Sequence, residues 1–170
     1  ELCNIKHIFS TGGQFGGTQL NICALIANVT ASNWLTPNGI LAFLMPDSIM
    51  SQNSYEGFRN FYTDYEKNER LYLQKIDKWE APLRPFRCDD KPITQDFITY
   101  YFASKKIDYN KGIPVKIISR RKNISDANIN KCSSYNQAKT HLIFKKGKAA
   151  QLSSNSTAFS YISDKVKKNI

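Results

Sequence analysis

The stretch Asn38-Gly39-Ile40-Leu41-Ala42-Phe43-Leu44-Met45-Pro46-Asp47-Ser48, followed by Ser54-Tyr55-Glu56-Gly57-Phe58-Arg59, sets the fold expectation for this chain. It reads as a turn, a strand stopped by proline, a short loop and a capped helix. The apolar run from Ile40 to Met45 predicts a strand covered on both faces, the pattern of parallel sheets in α/β proteins. Upstream, Thr18 is a candidate N-cap for a helix reaching about Trp34. Its residues from Leu20 to Val29 are mostly apolar, so this helix is expected to be largely buried. Pro37-Asn38-Gly39 then ends the unit and turns the chain into the strand.

Downstream, Ser54 caps a second helix that carries Glu56 in its first turn and Phe58, Phe61, Tyr62 and Tyr65 on adjoining rows. Two strands follow. The first spans residues 69–79 around Leu71, Leu73 and Ile76. The second spans residues 95–103, where Phe97, Thr99 and Tyr101 alternate with Ile98, Tyr100 and Phe102. Aromatic residues on both faces predict a central position for it. Residues 80–94 form a long connection with Arg84, Phe86, Arg87 and Lys91, and loops longer than about 12 residues in compact domains are often functional. After Lys106, short strand-like pieces at 115–119, 141–144 and 158–162 alternate with Ser/Asn/Lys-rich segments. The expected division is an α/β unit over residues 1–106. Residues 107–170 then form a basic extension, or the start of a linker to a downstream recognition region.

At 170 residues and 41% hydrophobic, the chain has enough apolar side chain to fill a core. No apolar run approaches the roughly 18 residues of a membrane-spanning helix. Four widely spaced cysteines and two histidines argue against a structural metal and for free thiols in a reducing cytoplasm. The net charge is +10, unevenly placed: residues 1–80 carry six Lys/Arg against eight Asp/Glu, residues 81–170 eighteen against six. A near-neutral scaffold joined to a basic half points to a polyanion partner, DNA or RNA first. The runs Lys105-Lys106, Arg120-Arg121-Lys122 and Lys145-Lys146 suit phosphate contact. Thr11-Gly12-Gly13-Gln14-Phe15-Gly16-Gly17 fits neither a Walker loop nor a dinucleotide fingerprint, and reads as a loop leading into the first helix.

The order of helix, Pro-Asn-Gly, apolar strand, Met-Pro-Asp-Ser and Ser-Tyr-Glu-Gly-Phe-Arg resembles the second half of N6-adenine-specific DNA methyltransferases. The resemblance is to the gamma-type enzymes of type I and fused type II restriction–modification systems. It is carried by residues 39–46 and 55–59 and extends over residues 18–104. It implies a partial Rossmann-like methyltransferase sheet, of which this chain supplies strand five and a final antiparallel pair at about 69–79 and 95–103. It also implies S-adenosylmethionine as cofactor and adenine N6 as acceptor. The cofactor loop and the catalytic Asn/Asp-Pro-Pro-Tyr/Phe motif are then expected upstream of Glu1, since neither occurs here. The fragment alone is expected to be inactive, with no catalytic residue and no metal.

By the same resemblance, the loop between the last two strands presents a ring to an adenine flipped from the duplex. Phe86 is the candidate, ahead of Trp79, with Arg84, Arg87 and Lys91 beside it on backbone phosphates. Lys105, Lys106, Arg120, Arg121 and Lys122 extend the basic surface. Asp47 and Ser48 stand where α/β sheets bind ligands, yet read first as a turn. The expected setting is the bacterial cytoplasm, with DNA as partner, no membrane, and self-association through an exposed sheet edge. Two other readings stay open: a non-catalytic nucleic-acid-binding module, and an RNA-directed methyltransferase fragment on the same scaffold.

Overall fold

A computed structural model describes residues 22–80, 87–88, 91–92, 96–153 and 157–162. Helix α1 (Ile22–Trp34) leads to β1 (Leu41–Pro46), a 3-10 turn at Asp47–Met50, and the short helix α2 (Glu56–Asn60). A small ribbon follows, β2 (Tyr62–Asp64) and β3 (Glu69–Arg70), and then β4 (Tyr72–Trp79). A two-residue pair, β5 (Arg87–Cys88) and β6 (Lys91–Pro92), precedes β7 (Phe97–Ala103). The remainder is β8 (Ile113–Arg120), α3 (Asp126–Asn130), α4 (Tyr135–Thr140), β9 (Leu142–Gln151) and β10 (Phe159–Ile162). Six strands build one curled mixed sheet, a half-barrel, in the order β1-β7-β4-β8-β9-β10. No helix among the described residues is long and apolar enough to cross a membrane.

The opening stretch folds as a turn and a strand, but its surroundings differ from the expectation. β1 pairs antiparallel with β7 and has no second neighbour among the described residues; only β4 and β8 pair parallel there. Leu41 and Met45 are buried while Ala42 and Leu44 are exposed, so one face is covered and not two. An apolar run specifies a strand without specifying its direction or its place in the order. Gly39 sits tightly against the turn before it: a Cβ there would stand 2.6 Å from Leu35 Cδ1, which would have to move, and 3.0 Å from the Thr36 carbonyl oxygen. Helix α1 also departs from expectation. It buries the small residues Ala24, Ala27 and Ala31 with Asn28, and leaves Ile22, Ile26 and Trp34 exposed by 65%, 48% and 76%. Asn28 Nδ2 donates to the Tyr62 carbonyl at 2.8 Å and Ser32 Oγ to that of Thr63 at 3.1 Å, which pins α1 on β2.

The second helix is shorter than its pattern predicts. It stops at Phe61, which takes the left-handed conformation at φ 43° and donates its N–H back to Gly57 and Phe58. That conformation costs a non-glycine residue about 1–2 kcal/mol. Full burial of the ring offsets it, at about 1.5–3 kcal/mol. Phe61 packs 5.1 Å from Phe58 and 4.6 Å from Phe102, centroid to centroid, at the middle of the core.

β7 lies between β1 and β4, antiparallel to both, in the central place its aromatic residues predict. β4 contains an extra residue at Gln74: Leu73 faces Phe102 but Lys75 faces Tyr101. This bulge lets Leu73 and Ile76, three apart, share the core side, and turns Lys75, Asp77 and Trp79 outward. The chain after Lys106, expected as an extension leaving the unit, instead adds β8, β9 and β10 to the same sheet. Ile113, Val115, Ala149 and Phe159 belong to the same buried cluster as Phe58 and Tyr100. The entry to β8 depends on Gly112, at φ +69°, where a Cβ would come 3.1 Å from the Ala149 carbonyl oxygen.

The curl brings the two ends of the sheet together. Tyr161 of β10 donates its hydroxyl to Asp47 Oδ1, just beyond β1, at 3.0 Å. Arg59 Nε donates to Thr157 Oγ1 at 3.1 Å, and its Nη1 to the carbonyls of Ile49 and Gln52. Replacing Tyr161 with Phe should cost about 1 kcal/mol and lower the melting temperature by about 2–4 °C. An unchanged urea midpoint would show that the closure does not need this bond. Gly112→Ala should destabilise by at least about 1 kcal/mol through its positive φ, measured by the same denaturation.

Candidate nucleic-acid interface

β1, β4 and β8 point the same way, so their carboxyl ends share one end of the sheet. That end is where α/β sheets present ligand-binding loops. The Asp47 N–H donates to the Asp96 carbonyl and the Glu80 N–H to that of Ile118, both at 2.9 Å. The segment between β4 and β7 therefore leaves and returns at this end. Arg84 and Phe86 lie outside the described residues, and Arg87 and Lys91 are described only in backbone, on the paired β5 and β6. Arg120, Arg121 and Lys122 stand at the same end, where the Arg121 N–H donates to the His141 carbonyl at 3.0 Å.

Lys105 and Lys106 follow β7, which runs the other way, and so fall at the opposite end. The basic residues that looked like one surface in the sequence are thus divided between two sheet ends. At the far end Lys106 borders a cleft of about 200 Å³ with Arg59, Arg70, Tyr72 and Tyr109. The Arg70 guanidinium rests 5.0 Å from the Tyr72 ring centroid and its Nε donates to that hydroxyl at 3.0 Å.

Asp47 is occupied by structural contacts. Besides Tyr161, it has Lys78 Nζ 4.0 Å from Oδ2, and the same ammonium stands 3.9 Å over the Tyr161 ring. Burial pushes the Tyr161 hydroxyl far above its ordinary range, and the neighbouring Asp47 carboxylate adds to the rise. Tyr100 beside it donates to the Pro46 carbonyl at 3.0 Å and is raised by burial as well. These bonds fit the reading of Asp47 as the start of a turn.

The face turned away from the core carries a group that sequence reasoning did not assemble. Asp77 is buried, with Tyr101 donating to Oδ2 at 3.0 Å and Lys75 Nζ 3.7 Å from Oδ1. Lys75 also stands 4.0 Å over the Tyr101 ring, and Trp79 Nε1 donates to Thr99 Oγ1 at 3.3 Å. Register extends the group across strands: Thr99, Asp77, Lys116 and Lys146 form one rung, and Trp79, Ile118 and Phe144 the next. Lys116 Nζ lies 4.7 Å over the Phe144 ring. Tyr101 is pushed up to about 12, by burial first and then by its bond to Asp77, with a small contribution from exposed Tyr135 on α4. The signal for this group was the alternation Lys75-Asp77-Trp79, obscured because the bulge at Gln74 breaks the parity of β4.

No group of three His, Cys, Asp or Glu side chains among the described residues is placed to hold a metal ion. The Cys132 thiol is in no disulfide and donates to the Asn128 carbonyl at 3.4 Å. No protein-family model matches the chain, and no curated protein does.

The raised tyrosines have a direct consequence for stability. Tyr109, whose oxygen accepts the Leu73 N–H at 2.8 Å, is also pushed up to about 12, chiefly by burial. A tyrosine raised in the folded state keeps its proton there while the unfolded chain ionises, so its stabilisation is complete below pH ~10 and is lost as pH rises toward ~12. The urea midpoint should therefore hold steady up to about pH 9.5 and fall steeply between about pH 10 and 12. Tyrosinate absorbance should lag in the native protein and appear with unfolding. A smooth titration of all nine tyrosines without unfolding would contradict the buried assignments.

Proposed function

We infer that this chain is the late-strand part of an adenine-specific DNA methyltransferase domain from a restriction–modification system. The observation that carries the reading is β7 lying antiparallel between β1 and β4, which point the same way. The resemblance implies an antiparallel final pair next to the Pro-terminated apolar strand. A second observation adds support: the outer edge of β1 is unpaired among the described residues, and α1 leaves Ile22, Ile26 and Trp34 exposed. Sheet edges are ordinarily blunted or covered, so an open edge beside exposed apolar residues suits a sheet that continues into further strands. The same edge would permit self-association of the isolated chain.

In this reading DNA approaches the sheet end that carries the carboxyl termini of β1, β4 and β8. Phe86 takes the place of the lost stacking partner of a flipped adenine. Arg84, Arg87 and Lys91 hold phosphates beside it, and Arg120, Arg121 and Lys122 extend the cationic border. Lys105 and Lys106 fall outside this approach. The resemblance puts the S-adenosylmethionine loop upstream of Glu1, and no step is routed through the cofactor here. Bound there, it would supply the methyl group.

The test uses the gene product extended upstream by about one domain length. It should transfer labelled methyl groups to adenine N6 in duplex DNA, and the 170-residue chain alone should transfer none. In the extended protein Phe86→Ala should lower methylation by about tenfold or more while nonspecific DNA binding changes less than about twofold. Equal losses in both would remove the stacking role. An upstream region without a cofactor loop or an Asn/Asp-Pro-Pro-Tyr/Phe motif would end the methyltransferase reading.

A further inference from the structure

We propose that the outward face of the sheet binds an unpaired nucleic-acid strand, its bases on the ring-bearing rung and its phosphates on the lysine rung beside it. This does not rest on methyl transfer. The rung of Trp79, Ile118 and Phe144 runs across β4, β8 and β9. The rung of Thr99, Asp77, Lys116 and Lys146 runs parallel to it, two residues along each strand. Two residues of strand span about 6.6–6.8 Å, so the two rungs are offset by about that distance; one carries the half-buried rings of Trp79 and Phe144 on either side of buried Ile118, and the other carries ammonium groups.

The local contacts hold this display in place. Trp79 is anchored by its indole N–H on Thr99, and Tyr101 and Lys75 are both tied to Asp77. Lys75 and Lys116 rest over the rings of Tyr101 and Phe144. A bound nucleotide replaces both halves of such a contact at once, placing a base against the ring and a phosphate against the ammonium. The charge is complementary to a polyanion: Lys75, Lys116 and Lys146 stand against one carboxylate, whose Oδ2 accepts from Tyr101 and whose Oδ1 has Lys75 Nζ 3.7 Å away but no hydrogen-bond partner. A protein partner fits less well, since lysine is depleted at protein interfaces. A duplex hides its base faces in the stack, whereas rings on a sheet take bases that are already splayed.

The experiment is fluorescence anisotropy of the full chain with a labelled oligothymidine about 12 nucleotides long, against a duplex of equal length. The strand should bind about tenfold or more tightly than the duplex, with Trp79→Ala weakening it by about 5- to 100-fold and Trp79→Phe retaining most of the affinity. The Lys116→Ala/Lys146→Ala double variant should flatten the dependence of log affinity on log salt by about 1.4. Lys146 is exposed, so Lys146→Ala alone keeps the measurement open if Trp79→Ala fails to fold, and should flatten that dependence by about 0.7. Lys67→Ala, on the β2–β3 turn, should change nothing. Equal affinity for strand and duplex would overturn the proposal. So would no binding to either, or a folded Trp79→Ala that binds as the unaltered chain does.

Discussion

The hydrogen bond from Tyr161 to Asp47 joins the last strand of the sheet to the residue that follows the first. An open six-stranded sheet would leave those positions far apart, so the bond exists only if the sheet curls. Arg59 on Thr157, and the edge-to-face contact of Tyr109 with Phe159 at 5.2 Å, depend on the same curl. None of these is large, since a neutral hydrogen bond contributes about 1 kcal/mol. Burying Phe58, Phe61, Tyr100 and Phe102 contributes several times more. Apolar burial therefore drives closure, and the polar contacts select which closed arrangement is adopted. They do so because Tyr161 and Asp47, once partly buried, would lose more by remaining unpaired than they gain by pairing.

Filling one side of the sheet leaves the other side free to vary, and that freedom shapes the outward group. Every strand that buries Ile98, Tyr100 and Phe102, or Ile113 and Val115, must turn its alternate residues the other way. On β4 those residues are Lys75, Asp77 and Trp79. Asp77 is the costly member. A carboxyl group largely removed from water needs partners; Tyr101 supplies one to Oδ2, while Oδ1 is left without a hydrogen bond, with Lys75 Nζ at 3.7 Å. That bond holds the Tyr101 hydroxyl in place on the face, with Lys75 over its ring.

Local patterns in the sequence located the elements well. The Pro-Asn-Gly turn, the strand before Pro46 and the central place of β7 follow from apolar runs, alternation and turn residues acting over short range, whereas the antiparallel pair of β4 and β7 was implied by the family resemblance. What was not legible depends on a longer range or on a single misaligned residue. The apolar run of β1 holds no information on its neighbours, and it lies at an end of the described sheet. The left-handed stop at Phe61 contradicts local propensity and holds only because tertiary packing accepts the ring. The bulge at Gln74 reverses the parity of β4, so counting by twos from Leu73 places Lys75 on the wrong face. The strands after Lys106 contain few large apolar residues, because β9 reads Leu-Ile-Phe-Lys-Lys-Gly-Lys-Ala-Ala-Gln and buries mainly Leu142 and Ala149.

The uneven charge of the chain takes on a different meaning once the strand order is known. In the sequence a near-neutral first half precedes a basic second half, which suggests a scaffold with a cationic tail. In the sheet the halves are interleaved: β4, from the neutral half, lies between β7 and β8, both from the basic half. The cations of the second half are therefore not free to act as a separate arm. Lys116 and Lys146 are held on a face beside Lys75 and Trp79, and Arg120, Arg121 and Lys122 are held at the sheet end where β4 finishes and β7 begins. A flexible basic tail would add charge without geometry. A cation fixed on a strand repeats at the spacing of the sheet, and that spacing allows these positions to favour a polyanion of one form over another.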